Sequence, residues 1–323
     1  MALQEFVVFK EPGQAQIHAF TGLWQAQDFS LNTNTFWLKP FHRQSPLLGL
    51  HNMRSVTLDE LKFELQPKST NQSDDRGQFV AYINYILGKI DQGEVQKIVP
   101  ARSQFFGAAI NGLDLFKKNI AKYPDAFCYA LQSKEYGTWI GASPETFFDF
   151  SHGLGRSMAL AGTLPLQSQE FSLKEFTEQN IVAQYIQHIL EKYATAVDIQ
   201  KPRTIKAAHL SHLRSEIACS IDMSSLPQLL HELHPTPAVG GYPLLQALDT
   251  INTYEPQGRK LYAGWLGMGQ DHSLHTYVNL RCAELFSNGM QCYAGCGVNK
   301  GSAAELEYIE TENKMQVMAS LLS

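Results

Sequence analysis

Apolar and polar positions along the chain switch repeatedly between a period of two and a period near 3.6, the pattern of interleaved strands and helices. The clearest β signal lies near the carboxyl end, where residues 276–286 and 290–298 form two alternating runs around Ser287-Asn288-Gly289. Asn-Gly between such runs predicts a tight hairpin. In the first run Tyr277, Asn279 and Arg281 share one face, and Val278, Leu280 and Cys282 the other, so Arg281 is expected in a polar site while its neighbours pack. The second run ends in Gly295-Cys296-Gly297, where missing side chains let backbone N–H groups approach an anion. Ser302-Ala303-Ala304-Glu305 reads as a capping box opening a helix to about residue 322, with Leu306, Ile309, Met318 and Leu321 as its packed side. Glu307, Glu310 and Lys314 fall on one face of that helix.

Upstream, residues 77–91 place Val80, Ile83, Ile86, Leu87 and Ile90 at helical spacing, closed by Gly93. Residues 94–102 read as a strand with Lys97, Val99 and Ala101 facing one way and Ile98, Pro100 and Arg102 the other. A helix over 112–123 precedes strands at 127–131, 137–140, 146–150 and 157–161, with Gly141-Ala142-Ser143-Pro144-Glu145 as a turn among them. Lys174 opens an amphipathic helix whose stripe is Ile181, Val182, Tyr185, Ile186, Ile189 and Leu190. Strands are expected at 205–211 and 262–267, and helices at 225–233 and 244–251. Residues 1–70 alternate short apolar runs with turn residues and carry no chemical motif; 69–76 is polar enough for a linker or an exposed loop leading into the next helix. The sequence has no internal repeat, and the count of elements is mixed α+β.

Three features carry candidate chemistry. Lys97 sits among valine, isoleucine and alanine, where an ammonium is costly to bury unless it is paired or neutral, and a neutral amine is what a general base requires. The plainer reading puts it at a strand end with its head in water. Glu145 in the turn at 141–145 is either structural or, beside such a lysine, a general acid. Glu175 and Glu178 repeat the three-residue spacing of Glu307 and Glu310, and two helices each presenting a carboxylate pair can clamp a hard divalent cation; all-oxygen ligation favours magnesium over zinc. The alternatives are a solvated helix face and acids that suit a helix first turn.

Composition narrows the field. A net charge of -5 with no basic stripe argues against nucleic acid and leaves small molecules as partners. No run of 18 apolar residues and no cationic leader with an apolar core is present, so a soluble cytoplasmic protein without membrane association is expected. The five cysteines are odd in number and lack metal spacing, which predicts buried reduced thiols, with Cys296 acting near a ligand through its backbone.

Over residues 77–320 the chain resembles the chorismate-utilising enzymes, and within them the isochorismate synthases. The resemblance rests on ordered motifs: KIVPAR at 97–102, GASPE at 141–145, LAGT at 160–163, KEFTE at 174–178, HPTPAVGG at 234–241, YAG at 262–264, LRC at 280–282, AGCG at 294–297 and ETENK at 310–314. It implies one α+β catalytic domain of two stacked antiparallel β-sheets flanked by helices, with residues 1–76 its less recognisable part. It implies that chorismate and Mg2+ bind, with Glu178 and Glu310 as metal ligands and Glu175 and Glu307 beside them. Arg281, Tyr262 and the backbone at Gly295, with Cys296 and Gly297, match the groups around the enolpyruvyl carboxylate. Gly162, Thr163 and Lys314 match those around the ring carboxylate, and His234 opens a further binding motif. Lys97 matches the base that activates water, and Glu145 the acid that assists loss of the C4 hydroxyl.

Lys97 together with Ala161 is similar to the water-using branch, which also holds salicylate synthase. The ammonia-dependent anthranilate and aminodeoxychorismate synthase components usually lack the lysine at 97. A monomer without a glutaminase subunit is therefore expected, in menaquinone or siderophore biosynthesis. Departures from the family pattern include Gln179 for a histidine, Lys260 for a glycine before YAG, and Cys219 for a glycine.

Overall fold

The structure, a computed structural model, describes residues 4–69, 76–165, 170–207 and 210–323, with the side chains of Thr163, Pro165, Ala207 and Leu210 outside that description. Six α-helices are found among the described residues: α1 (Arg76–Asp91), α2 (Gly112–Lys122), α3 (Leu173–Tyr193), α4 (Leu226–Leu233), α5 (Leu244–Tyr254) and α6 (Ala304–Ala319).

Among the described residues sixteen strands join in one antiparallel sheet, fifteen of them along a single hydrogen-bonded path. One half of it runs Ala194–Ile199, Leu210–Ile221, Leu154–Pro165, Thr146–Ser151, Ser273–Val278 and Trp265–Gln270, with Arg203–Ala207 beside Leu210–Ile221. The other half is Phe127–Ser133, Gly137–Ser143, Cys282–Phe286, Gly289–Gly295 and Ala101–Gly107. Four strands from the first 55 residues, Thr35–Lys39, Leu48–Ser55, Ile17–Ala26 and Glu5–Lys10, connect the halves. The α+β class matches the expectation. The two layers stack as expected, but hydrogen bonds make them one continuous path, and the amino-terminal region without a readable motif supplies the join.

The layers meet in an aromatic core: Phe127 and Tyr277, from opposite halves, stack with centroids 4.2 Å apart, and Tyr129 Oη donates to Asn279 Oδ1 at 2.7 Å. Period-two alternation sends Phe127, Tyr129 and Leu131 to this core and Cys128 and Ala130 to a second one, which Leu115 and Phe116 of α2 and Met315 and Met318 of α6 cover. All five cysteines are buried and unpaired, as the sequence predicts.

The predicted run at 276–286 divides. Ser273–Val278 belongs to one half and Cys282–Phe286 to the other, and the chain crosses between them through residues 279–281, with Arg281 in the left-handed region at φ +49°. Alternation therefore fails there, and Leu280 and Arg281 both face the same cavity instead of opposite sides. The predicted strand at 262–267 starts only at Trp265, because Ala263 at φ +62° bends the preceding turn. The predicted strand at 205–211 divides as well, since Arg203–Ala207 folds back on Leu210–Ile221. A separate, small sheet holds Lys97–Ile98 between Gly241–Tyr242 and Val298–Asn299. Being central buries both faces of the two-residue strand.

The orientation of α6 differs from the reading of its apolar residues. Its N-cap is Ala303 without a side-chain cap, and Ser302 Oγ instead accepts from the Asn299 N–H. Leu306 is 66% exposed, whereas Glu307, Tyr308 and Thr311 are buried. The helix turns its acidic side inward, against the usual direction of the hydrophobic effect, because partners for those charges wait there.

Candidate active site

A cavity lies where the two halves meet the crossover, walled by Leu160, Ala161 and Gly162 on one side and Tyr293, Ala294 and Gly295 on the other. Eight of the predicted site residues face it: Glu145, Gly162, Glu178, Tyr262, Arg281, Gly295, Gly297 and Lys314. The backbone of Thr163 pairs with His212 at the bulge after Ala161, while its side chain lies outside the described residues.

Gly162 forms that bulge at φ +72°, a conformation open to glycine, and a Cβ there would stand 2.9 Å from the Cβ of Glu175. The extra residue turns the strand end toward the first turn of α3. At Gly297 a Cβ would lie 1.9 Å from Glu178 Oε1, so only glycine lets the carboxylate in.

Glu145 follows Pro144 at the end of Gly137–Ser143, where its N–H donates to Ser143 Oγ at 3.3 Å. Burial pushes its carboxyl up to about 8, against the opposing pull of Lys97, Lys314 and Arg281. It is a neutral acid at pH 7. Lys97 is wholly buried, with its Nζ 3.0 Å from Glu178 Oε1, and of this pair Glu178 lines the cavity. The predicted base thus meets the site beside a carboxylate and not through open space.

Arg281 is nearly buried, and its Nη2 stands 3.4 Å from Nε2 of His212, which also lines the cavity. Burial, then the charges of Arg281 and Lys314, hold the His212 imidazole well below its ordinary range, so it is neutral. Lys314 Nζ donates to the Gly295 carbonyl at 2.9 Å and pairs with Glu310 at 2.6 Å. The cavity therefore combines two cations, a neutral imidazole and a protonated carboxyl with the Glu178 carboxylate, which Lys97 pairs from behind, and this set suits an anionic substrate.

The four carboxylates read as a metal set are spread over separate partners. Glu178 pairs with Lys97, Glu310 with Lys314, and Glu307 with Lys174 at 2.6 Å. Glu175 closes the capping box of α3 by accepting from the Ser172 N–H at 2.8 Å and its Oγ at 2.6 Å. Among the described residues no three His, Cys, Asp or Glu side chains converge as they stand on one metal position. One atom nevertheless asks for a cation: Glu307 Oε2 is buried without a hydrogen-bond partner. Burial and the Glu310 charge push the Glu307 carboxyl up to about 7, and Lys174 only partly offsets them. An acidic, all-oxygen donor set with a surplus of buried carboxylate fits a hard divalent ion.

His234 and Cys296 also stand off the cavity wall. His234 is buried against Phe147, with Nε2 3.0 Å from the Phe41 carbonyl and 3.1 Å from that of Pro40, and burial drives it down to about 3. It is a neutral core histidine joining the loop at 40–41 to the end of α4. Cys296 is buried, and its N–H donates to the Pro100 carbonyl at 3.2 Å, which fixes the glycine corner from behind. Sequence reasoning missed His212 and Tyr293. The signal for His212 was the polar alternation of His212, Arg214 and Glu216 on one strand; Tyr293 carried none.

The sequence profile of the chorismate binding enzyme family matches residues 48–323. The chain is 32% identical over 269 residues to the salicylate biosynthesis isochorismate synthase of Pseudomonas aeruginosa, covering 78% of this chain and 56% of that protein. It is 30% identical to isochorismate synthase MenF of Pasteurella multocida, covering 83% of this chain and 66% of the relative. The chain thus spans between 56% and 66% of the length of these two relatives. Among solved structures, the menaquinone-specific isochorismate synthase MenF of Escherichia coli superposes with a TM-score of 0.83 at 21% identity, covering 99% of this chain and 89% of that one. Anthranilate synthase component I of Streptococcus pneumoniae gives 0.71 at 16% identity, over 97% and 90%. These two likenesses establish a shared fold, and with the matched profile and the first relative they lead to one conclusion: the chain belongs to the chorismate binding enzyme family.

Proposed function

We propose that the protein is an isochorismate synthase, an isomerase that converts chorismate to isochorismate by adding water at C2 and losing hydroxide from C4. What carries the reading is that a carboxyl held neutral up to about pH 8, Glu145, and a buried amine, Lys97, serve one cavity that also presents Arg281 and Lys314. Glu145 gives its proton to the departing C4 hydroxyl. Lys97 takes a proton from the incoming water once its ammonium has released one proton to solvent and Glu178 has turned toward another partner. Arg281 grips the enolpyruvyl carboxylate with Tyr262 beside it, and Lys314 faces the ring carboxylate. Mg2+, held by Glu178 and Glu310 with Glu175 and Glu307 nearby, would neutralise charge on that ring carboxylate when bound.

Water is preferred to ammonia as nucleophile because Lys97 is present and the wall carries alanine, not lysine, at position 161. The enzyme then needs no glutaminase subunit and acts as a monomer in the cytoplasm, supplying menaquinone biosynthesis, with a catechol siderophore as the second destination. Among the described residues no helix is long and apolar enough to cross a membrane.

Salicylate synthase is the second reading, served by the same acid, base and cavity. Incubation with chorismate and Mg2+, followed by product analysis, separates them. Isochorismate alone supports the proposal; salicylate with pyruvate supports the second reading; no turnover refutes both.

A further inference from the structure

Lys260 is held at φ +50°, in the left-handed region where a residue with a Cβ is strained and a glycine is not. Its side chain supplies a reason. Lys260 Nζ donates to both oxygens of Glu284, at 2.8 and 2.7 Å, and Glu284 is buried. Glu284 in turn accepts from Tyr293 Oη at 3.4 Å. The Tyr293 ring is stacked between Trp139, 5.2 Å away, and Tyr262, 5.8 Å away, with interplanar angles of 24° and 17°. Tyr293 and Tyr262 both line the cavity, and a Cβ on Gly295 would stand 3.1 Å from Tyr262 Oη.

We propose that Lys260 is a positioning residue for the substrate-binding wall: its ammonium clamps Glu284, Glu284 holds Tyr293, and the Tyr293 ring sets Tyr262 against Gly295. Lys260 and Tyr262 also share one turn, in which the Tyr262 N–H donates to Arg259 and Lys260 accepts from the Phe41 N–H. The turn and the ion pair thus both bear on Tyr262, one through the backbone and the other through Glu284 and Tyr293. An outlier conformation maintained beside a binding wall is where strain has functional meaning. This inference rests on the reading above that Tyr262 contacts the substrate.

Lys260→Gly is the informative variant, because glycine adopts φ +50° freely, so the backbone is relaxed while the clamp is removed. The expected result is an unchanged or higher melting temperature, a weakened near-UV circular dichroism signal from the Trp139–Tyr293–Tyr262 stack, and a KM for chorismate raised about three- to tenfold with kcat within about twofold. Lys260→Arg, which still reaches Glu284, should restore both signals. An unchanged dichroism spectrum with an unchanged KM overturns the proposal, and so does a loss confined to melting temperature. If the wild type fails to turn over chorismate, the proposed activity fails, and the dichroism comparison alone still decides the clamp.

Discussion

Lys97 Nζ and Glu178 Oε1 stand 3.0 Å apart, the ammonium wholly buried and the carboxylate at the cavity wall. The pair joins the small sheet to α3, and it makes the proposed base and a proposed metal ligand mutually dependent. Lys97→Ala should cut kcat by about two to four orders of magnitude, the usual loss for a general base. Retention of more than about a tenth of wild-type kcat would assign the base elsewhere.

Glu145 sets a pH limit. Its folded-state value of about 8 lies above the ordinary 4.5, so the folded protein keeps a proton that the unfolded chain has lost in that interval. The associated stability is fully present below 4.5 and is lost as pH rises through about 8. As the proposed acid, Glu145 should also make kcat fall above pH 8. Glu145→Gln should lower kcat by about two to four orders, abolish that alkaline limb, and be the more alkali-stable protein in thermal melts. A limb that survives in the variant belongs to another group.

Mg2+ should be required. Excess chelator should abolish turnover, and Mg2+ should raise the melting temperature of the wild type but not of Glu178→Ala or Glu310→Ala. An active Glu310→Ala would remove that residue from the metal set.

Gly297→Ala probes the same centre by crowding. Its new Cβ would fall 1.9 Å from Glu178 Oε1, so the carboxylate or the backbone at the glycine corner must move. Turnover and the Mg2+-dependent melting shift should both be lost while the fold persists. Wild-type kcat would show that Glu178 has no fixed position in the reaction.

For Arg281, lysine offers a point charge where the guanidinium offers two parallel donors, so Arg281→Lys should raise KM for chorismate severalfold or more. An unchanged KM contradicts the clamp.

The local signals in the sequence were reliable where one element decides its own shape. The hairpin at Ser287-Asn288 and the packed stripe of α3 through Ile181, Val182, Ile186, Ile189 and Leu190 form as read. The failures fall where distant chain decides. Nothing in the alternation at 276–286 says that residue 278 pairs in one half of the sheet and residue 282 in the other, yet that division puts Leu280 and Arg281 in one cavity. On α6 the apolar Leu306 and Ile309 pointed to a packed face, but Lys174 of α3 pairs with Glu307 and draws that acid inward instead. Of the site, the motif residues with charge or glycine were legible. His234 was over-read, because a buried histidine bonded to backbone carbonyls looks the same in sequence as one at a ligand. Tyr293 was under-read, because its place depends on rings from other strands.

The strand Glu5–Lys10 is buried on both faces and hydrogen-bonded along both edges, to Ile17–Ala26 on one side and Phe127–Ser133 on the other. During synthesis, the second of those edges has no partner until a stretch more than 100 residues downstream has left the ribosome. Until then an apolar strand with one open edge is a template for pairing with other chains. Such long-range closure is slow relative to local hairpins. The emerging protein should therefore depend on chaperone cover early in translation, and its yield should respond to substitutions at Val7 and Val8 more sharply than the stability of the finished fold does.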